Sequence, residues 1–74
     1  MKNKVRYYRQ EFRITQKQLG DAIGVTRQTV SALEHGRFNP PITMAIQLSL
    51  ILKQPLEELF DFDEVPVIEI NWDK

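Results

Sequence analysis

Apolar residues recur along this chain three and four apart over most of its length and two apart near the end. Those two periods separate helices from strands. Val5, Tyr8 and Phe12 predict a first helix over residues 3–12, with Arg6, Arg9 and Arg13 on its other faces. Thr15 then begins the signature T-x-x-Q, in which the Thr15 hydroxyl accepts from the backbone of Gln18 and the Gln18 side chain accepts from the Thr15 N–H. A second helix starts there with Leu19, Ala22 and Ile23 on its apolar face. Gly24 stands where a helix commonly enters the left-handed conformation at its end. Val25 is expected to be buried and Thr26 to cap a third helix. Val30 and either Ala32 or Leu33 form that helix's apolar face, and Gly36 ends it.

After the loop RFNPP, Pro41 suits a position at or just before the first turn of a fourth helix, where its missing N–H costs nothing. Ile42, Ala45, Ile46, Leu48, Ser49 and Leu52 carry that helix to about Lys53. It is apolar over more than one face, which places it at the centre of the core. Pro55 opens a short fifth helix, LEELF, with Glu57 and Glu58 set to complement the positive end of its dipole. The remaining segment changes period. Val67, Glu69 and Asn71 alternate with Ile68, Ile70 and Trp72, as in a half-buried strand. Nothing else in the chain reads as its partner, so it must pair with a copy from a second subunit or with the N-terminal residues.

Composition narrows the class. With 74 residues and 42% hydrophobic content the chain builds one small core, and domains of this size are often helped by oligomerisation. There is no cysteine and one histidine, which removes disulfides, a thiol nucleophile and a His-paired triad. No metal cluster or phosphate-binding glycine loop is present in the sequence, so neither an enzyme nor a cofactor-dependent protein is expected. An apolar run long enough to span a bilayer is missing, as is a signal peptide's apolar region. A cytoplasmic protein with no membrane partner and no evident small-molecule ligand is expected. The formal net charge of zero hides an asymmetry: residues 1–40 carry +5 and residues 41–74 carry −5. Such a split fits one face turned to a polyanion and another turned away.

The polar run TRQT at the start of the third helix gives that polyanion a chemistry. Two short helices joined by a tight glycine-containing turn form a helix-turn-helix, whose second helix enters the DNA major groove with its N-terminal residues toward base edges. Arg27 can bond guanine bidentately, Gln28 adenine, and the Thr29 methyl can meet a thymine methyl.

The run T-Q-x-x-L-x-x-x-x-G-V-T-R-Q-T-V-S-x-L-E-x-G over residues 15–36, followed by Asn39-Pro40 and by LEELF at residues 56–60, resembles the lambda-repressor and Cro type of regulator, also called the xenobiotic-response-element family. The likeness covers about four fifths of the chain. It implies an all-α, five-helix DNA-binding domain over residues 1–60, here with a short C-terminal β-strand extension over residues 61–74. It also implies a sequence-specific prokaryotic or phage transcriptional regulator, expected to be a repressor, that binds a palindromic operator in double-stranded DNA as a homodimer. By the same analogy Gln16 grips a phosphate, and Arg27, Gln28 and Ala32 or Ser31 face the bases; Thr26, at the cap, and Thr29 complete the expected DNA-binding residues of this turn. Arg37 and Asn39 continue along the backbone. His35 stands where relatives often carry Asn, a phosphate contact by analogy, although a histidine at a helix C-terminus also suits the dipole.

Arg9 and Glu34 resemble the family's ion pair between the first and third helices. Val67, Ile68, Ile70 and Trp72 are the expected dimerisation strand. Arg13 and Lys53 occupy positions where the family often has Gly, so those turns must either accept positive φ or close differently. Ala32 is small where relatives can carry a longer reading side chain, which shifts weight to DNA shape. The competing reading is an antitoxin or a protein-interaction module on the same fold.

Overall fold

The structure, a computed structural model, describes residues 1–66 and 68–72. Its elements in chain order are α1 (Val5–Glu11), α2 (Gln16–Ile23), α3 (Arg27–Glu34), α4 (Ile42–Leu52) and α5 (Leu56–Leu59), followed by a 3-10 turn at Phe62–Glu64. The all-α, five-helix architecture is the expected one. Val5, Leu19, Val30, Leu33, Leu48, Leu52 and Leu59 are all but sealed from solvent, so every helix contributes to one core.

The helix ends follow local chemistry. Thr15 forms the full capping box, its hydroxyl accepting from Gln18 N at 3.0 Å while Gln18 Oε1 accepts from Thr15 N at 2.8 Å. Gly24 (φ 78°) and Gly36 (φ 74°) close α2 and α3 in the left-handed region. Arg13 (φ 57°) and Lys53 (φ 55°) do the same after α1 and α4 without being glycine. Arg13 N–H bonds Gln10 O and Ile14 N–H bonds Arg9 O, each at 3.0 Å, the paired closure that leaves few orphan carbonyls at a helix end.

Four expectations need correction. The first helix begins at Val5 rather than Asn3, because Asn3 is held in an antiparallel bridge with Phe60. Lys4 N–H donates to Leu59 O at 2.7 Å and Asp61 N–H to Lys2 O at 2.9 Å on either side of that bridge. The inward face of α1 is Val5 and Arg9, while Phe12 is exposed; an ion pair to α3 lets an arginine occupy a core position. Ala22 is exposed rather than part of the α2 face, since α2 rests on Leu19 and Gly20.

The fourth concerns α4 and the tail. Only Ala45, Leu48 and Leu52 of α4 are buried, and the second apolar face, Ile42, Ile46 and Leu50, is exposed. In the C-terminal segment Val67 lies outside the described residues, and residues 68–72 form no strand within this chain, with Ile68, Ile70 and Trp72 exposed. The N-terminal residues, one of the two expected partners, are already paired with residues 59–61.

Candidate nucleic-acid interface

α2 and α3 pack against one another through a turn of Gly24, Val25 and Thr26. Val25 N–H bonds Gly20 O at 2.8 Å, folding the turn back onto α2. Gly20 makes this approach: a Cβ built there would stand 2.7 Å from Val25 O. The sequence reading missed Gly20, although a glycine inside an otherwise helical pattern costs about 1 kcal/mol relative to Ala and so signals a packing reason.

Thr26 then caps α3. Its hydroxyl accepts from Thr29 N at 3.2 Å and lies 3.1 Å from the Thr29 hydroxyl. The Thr29 hydroxyl is therefore engaged with the cap, leaving its methyl for an apolar contact. Val30 and Leu33 point into the core, so by the 3.6-residue period the opposite face carries Gln28, Ser31, Ala32 and His35, with Arg27 at its edge. Arg27, Gln28 and His35 are exposed, and Ser31 and Ala32 half-buried. The long polar side chains stand at the helix N-terminal end, where backbone donors also favour anions.

Gln16, the first residue of α2, is half-buried, and its amide Nε2 donates to Glu34 Oε1 at 3.1 Å. One amide N–H is thus committed to the protein, and the other remains for a phosphate oxygen. Glu34 itself is held by Arg9, whose Nε donates to Oε2 at 2.6 Å and Nη2 to Oε1 at 3.3 Å, while Nη1 donates to Ile14 O at 2.8 Å. The expected Arg9–Glu34 pair is present and buried. It lies directly behind Gln16, a link that the sequence reading did not draw.

His35 Nδ1 is 2.7 Å from Ser31 O, which fixes the tautomer with the proton on Nδ1 and matches the helix-end reading. With Nδ1 so engaged, Nε2 is the ring nitrogen left for any further contact. Arg37 and Asn39 are exposed in the loop after α3. Arg37 N–H closes the helix on Ala32 O at 2.9 Å, which sets where the loop leaves α3.

Electrostatics elsewhere are local. Tyr8 OH donates to Glu58 Oε2 at 2.5 Å, and Lys4 Nζ reaches the same oxygen at 3.3 Å, tying α1 to α5. The hydrogen bond to Glu58 pushes Tyr8 up to about 12. The Tyr8 hydroxyl, then Lys4, hold the Glu58 carboxyl below its ordinary value. Among the described residues no cluster of His, Cys, Asp or Glu could hold a metal ion, and no helix is long and apolar enough to cross a membrane.

Residues 5–59 match the family model described as helix-turn-helix. A protein of Archaeoglobus fulgidus named as an uncharacterized HTH-type transcriptional regulator is 32% identical over 74 residues, covering 100% of this chain and 99% of the relative. The uncharacterized HTH-type transcriptional regulator YgzD of Bacillus subtilis is 39% identical over 64 residues, 86% of this chain and 97% of its own. One from Methanothermobacter thermautotrophicus, named likewise, is 38% identical over 65 residues, 86% of this chain and 94% of its own. With its α2–turn–α3 unit built on Gly20, Gly24 and Thr26 and the match running from α1 through α5, the chain belongs to the helix-turn-helix family.

Proposed function

We propose that this protein is a sequence-specific transcriptional regulator that places α3 in the DNA major groove. The observation that carries the reading is the outer face of α3: Arg27 and Gln28, exposed on the first turn beyond the Thr26 cap, have the donor and acceptor patterns that distinguish base pairs. Gln16, Arg37 and Asn39 flank them as phosphate contacts, with the free N–H of the Gln16 amide and the exposed Arg37 guanidinium as donors. The relatives' names as transcriptional regulators support the same reading.

In finer detail, the protein acts in the cytoplasm as a homodimer on a palindromic operator, because two-fold protein symmetry imposes two-fold symmetry on the site. Its action is repression, which requires only that the operator be occupied. Residues 1–60 supply the DNA-binding domain and residues 61–74 the extension that serves the dimer. The test is a selection from random double-stranded DNA. An enriched inverted repeat with half-site centres about one helical turn apart supports the reading, and enrichment of no sequence overturns it.

A further inference from the structure

Two of the apolar surfaces exposed among the described residues match one another. The first is the stripe Ile42, Ile46 and Leu50 on α4, exposed by 66%, 45% and 73%. Residues four apart lie on one side of a helix, so the stripe is continuous and rises about 12 Å from end to end. No charged residue interrupts α4 between Ile42 and Leu52. The second surface is the arm, where Ile68, Ile70 and Trp72 are exposed by 83%, 59% and 77%. In extended backbone these three residues share one face and span about 13 Å. Three apolar side chains about 6 Å apart on α4 thus match the spacing of three more on the arm.

Residues 68–72 of the arm are all exposed. The chain measures 52 × 21 × 18 Å, and its radius of gyration of 14.3 Å exceeds the roughly 11 Å of a compact chain this long. Either surface alone is within the few hundred Å² that a monomer commonly exposes. Both surfaces from both copies together approach the roughly 1,200–2,000 Å² of stable interfaces. We propose that the occupant of the α4 stripe is the C-terminal arm of a second copy, exchanged reciprocally about a two-fold axis. Each arm lays Ile68, Ile70 and Trp72 on the partner's α4 and turns Glu69 and Asn71 outward. The exchange is self-complementary and closes as a dimer. It replaces the strand-on-strand pairing expected from the alternating sequence.

The inference rests on the homodimer proposed above and is tested without DNA, so a failure of DNA binding would overturn the regulator reading and leave this one standing. The natural chain has no cysteine, so introduced thiols report alone. Chains bearing Ile46→Cys are mixed with chains bearing Ile70→Cys, each checked by circular dichroism for helix content, and oxidised mildly. A disulfide joining the two different chains is expected. Three results would overturn the proposal: Ile70→Cys chains that link only to one another, an intrachain bond in the doubly substituted chain, or folded chains that do not link. In sedimentation, Leu50→Ser and Trp72→Ala should each weaken dimerisation more than tenfold, and a dimer indifferent to both would also contradict it.

Discussion

Glu34 receives two nitrogens of Arg9 and one of Gln16 on a carboxylate whose side chain is 1% exposed, so one buried charge joins α1, α2 and α3. Removing one partner of such a pair leaves the other charged in the core. Glu34→Ala should therefore cost about 3–5 kcal/mol, a large share of the roughly 4–11 kcal/mol available to a domain of this size. Replacing both by apolar residues, Arg9→Met with Glu34→Leu, should recover most of the loss. Urea unfolding of the three variants measures it, and a single variant as stable as the natural chain would contradict the buried pair.

The Tyr8–Glu58 hydrogen bond makes stability depend on pH at both extremes. Glu58 is held below its ordinary 4.5 in the folded chain, so its contribution is complete above that value and is lost as pH falls through the lowered one. Tyr8 is raised from 10.0 to about 12, so its contribution is complete below pH 10 and is lost as pH rises toward 12. In Tyr8→Phe both dependences should shrink. Denaturation midpoints of the two proteins should draw together as pH falls through the lowered Glu58 value and as it rises toward about 12, and differ most between them.

Arg13 and Lys53 adopt left-handed backbone that glycine holds more readily. Arg13→Gly and Lys53→Gly should each stabilise the protein by about 0.5–1 kcal/mol, the relief of a Cβ in that region less the entropy glycine adds to the unfolded chain. Thermal denaturation of each variant gives the sign directly.

Gly20 bears on the interface from inside. A side chain there meets the Val25 carbonyl, so Gly20→Val should force the turn away from α2 and destabilise the domain by about 1–3 kcal/mol. The same shift moves α3 relative to α2, so any surviving folded protein should also bind DNA more weakly. Unchanged stability would show that the turn yields without effect.

What could be read from the sequence was what is decided locally. Thr15, Gly24, Thr26 and Gly36 set helix ends through bonds within a few residues, and each stands where its pattern placed it. The exposed Arg27 and Gln28 follow from the period of α3. The rest depends on residues far apart in the chain: Arg9 is buried because Glu34, 25 residues on, completes its charge, and Asn3 is outside the helix because Phe60 pairs with it. The second face of α4 could not be assigned from its own composition, since an apolar stripe facing the core and one facing another molecule have the same sequence. His35 was legible as a helix-end residue, but its tautomer required the 2.7 Å contact with Ser31 O.

Equilibrium binding to the selected operator, followed by fluorescence anisotropy across a series of salt concentrations, bears most directly on DNA recognition through α3. The affinity of the natural chain should fall linearly with salt on logarithmic axes as phosphate-bound counterions are released. Arg27→Ala or Gln28→Ala should lose about 1–3 kcal/mol on the operator with preference relaxed at one base position per half-site, whereas Gln16→Ala should weaken all sequences alike. A natural chain with no salt-dependent affinity for DNA, or Arg27→Ala and Gln28→Ala variants that bind and discriminate as the natural chain does, would contradict it.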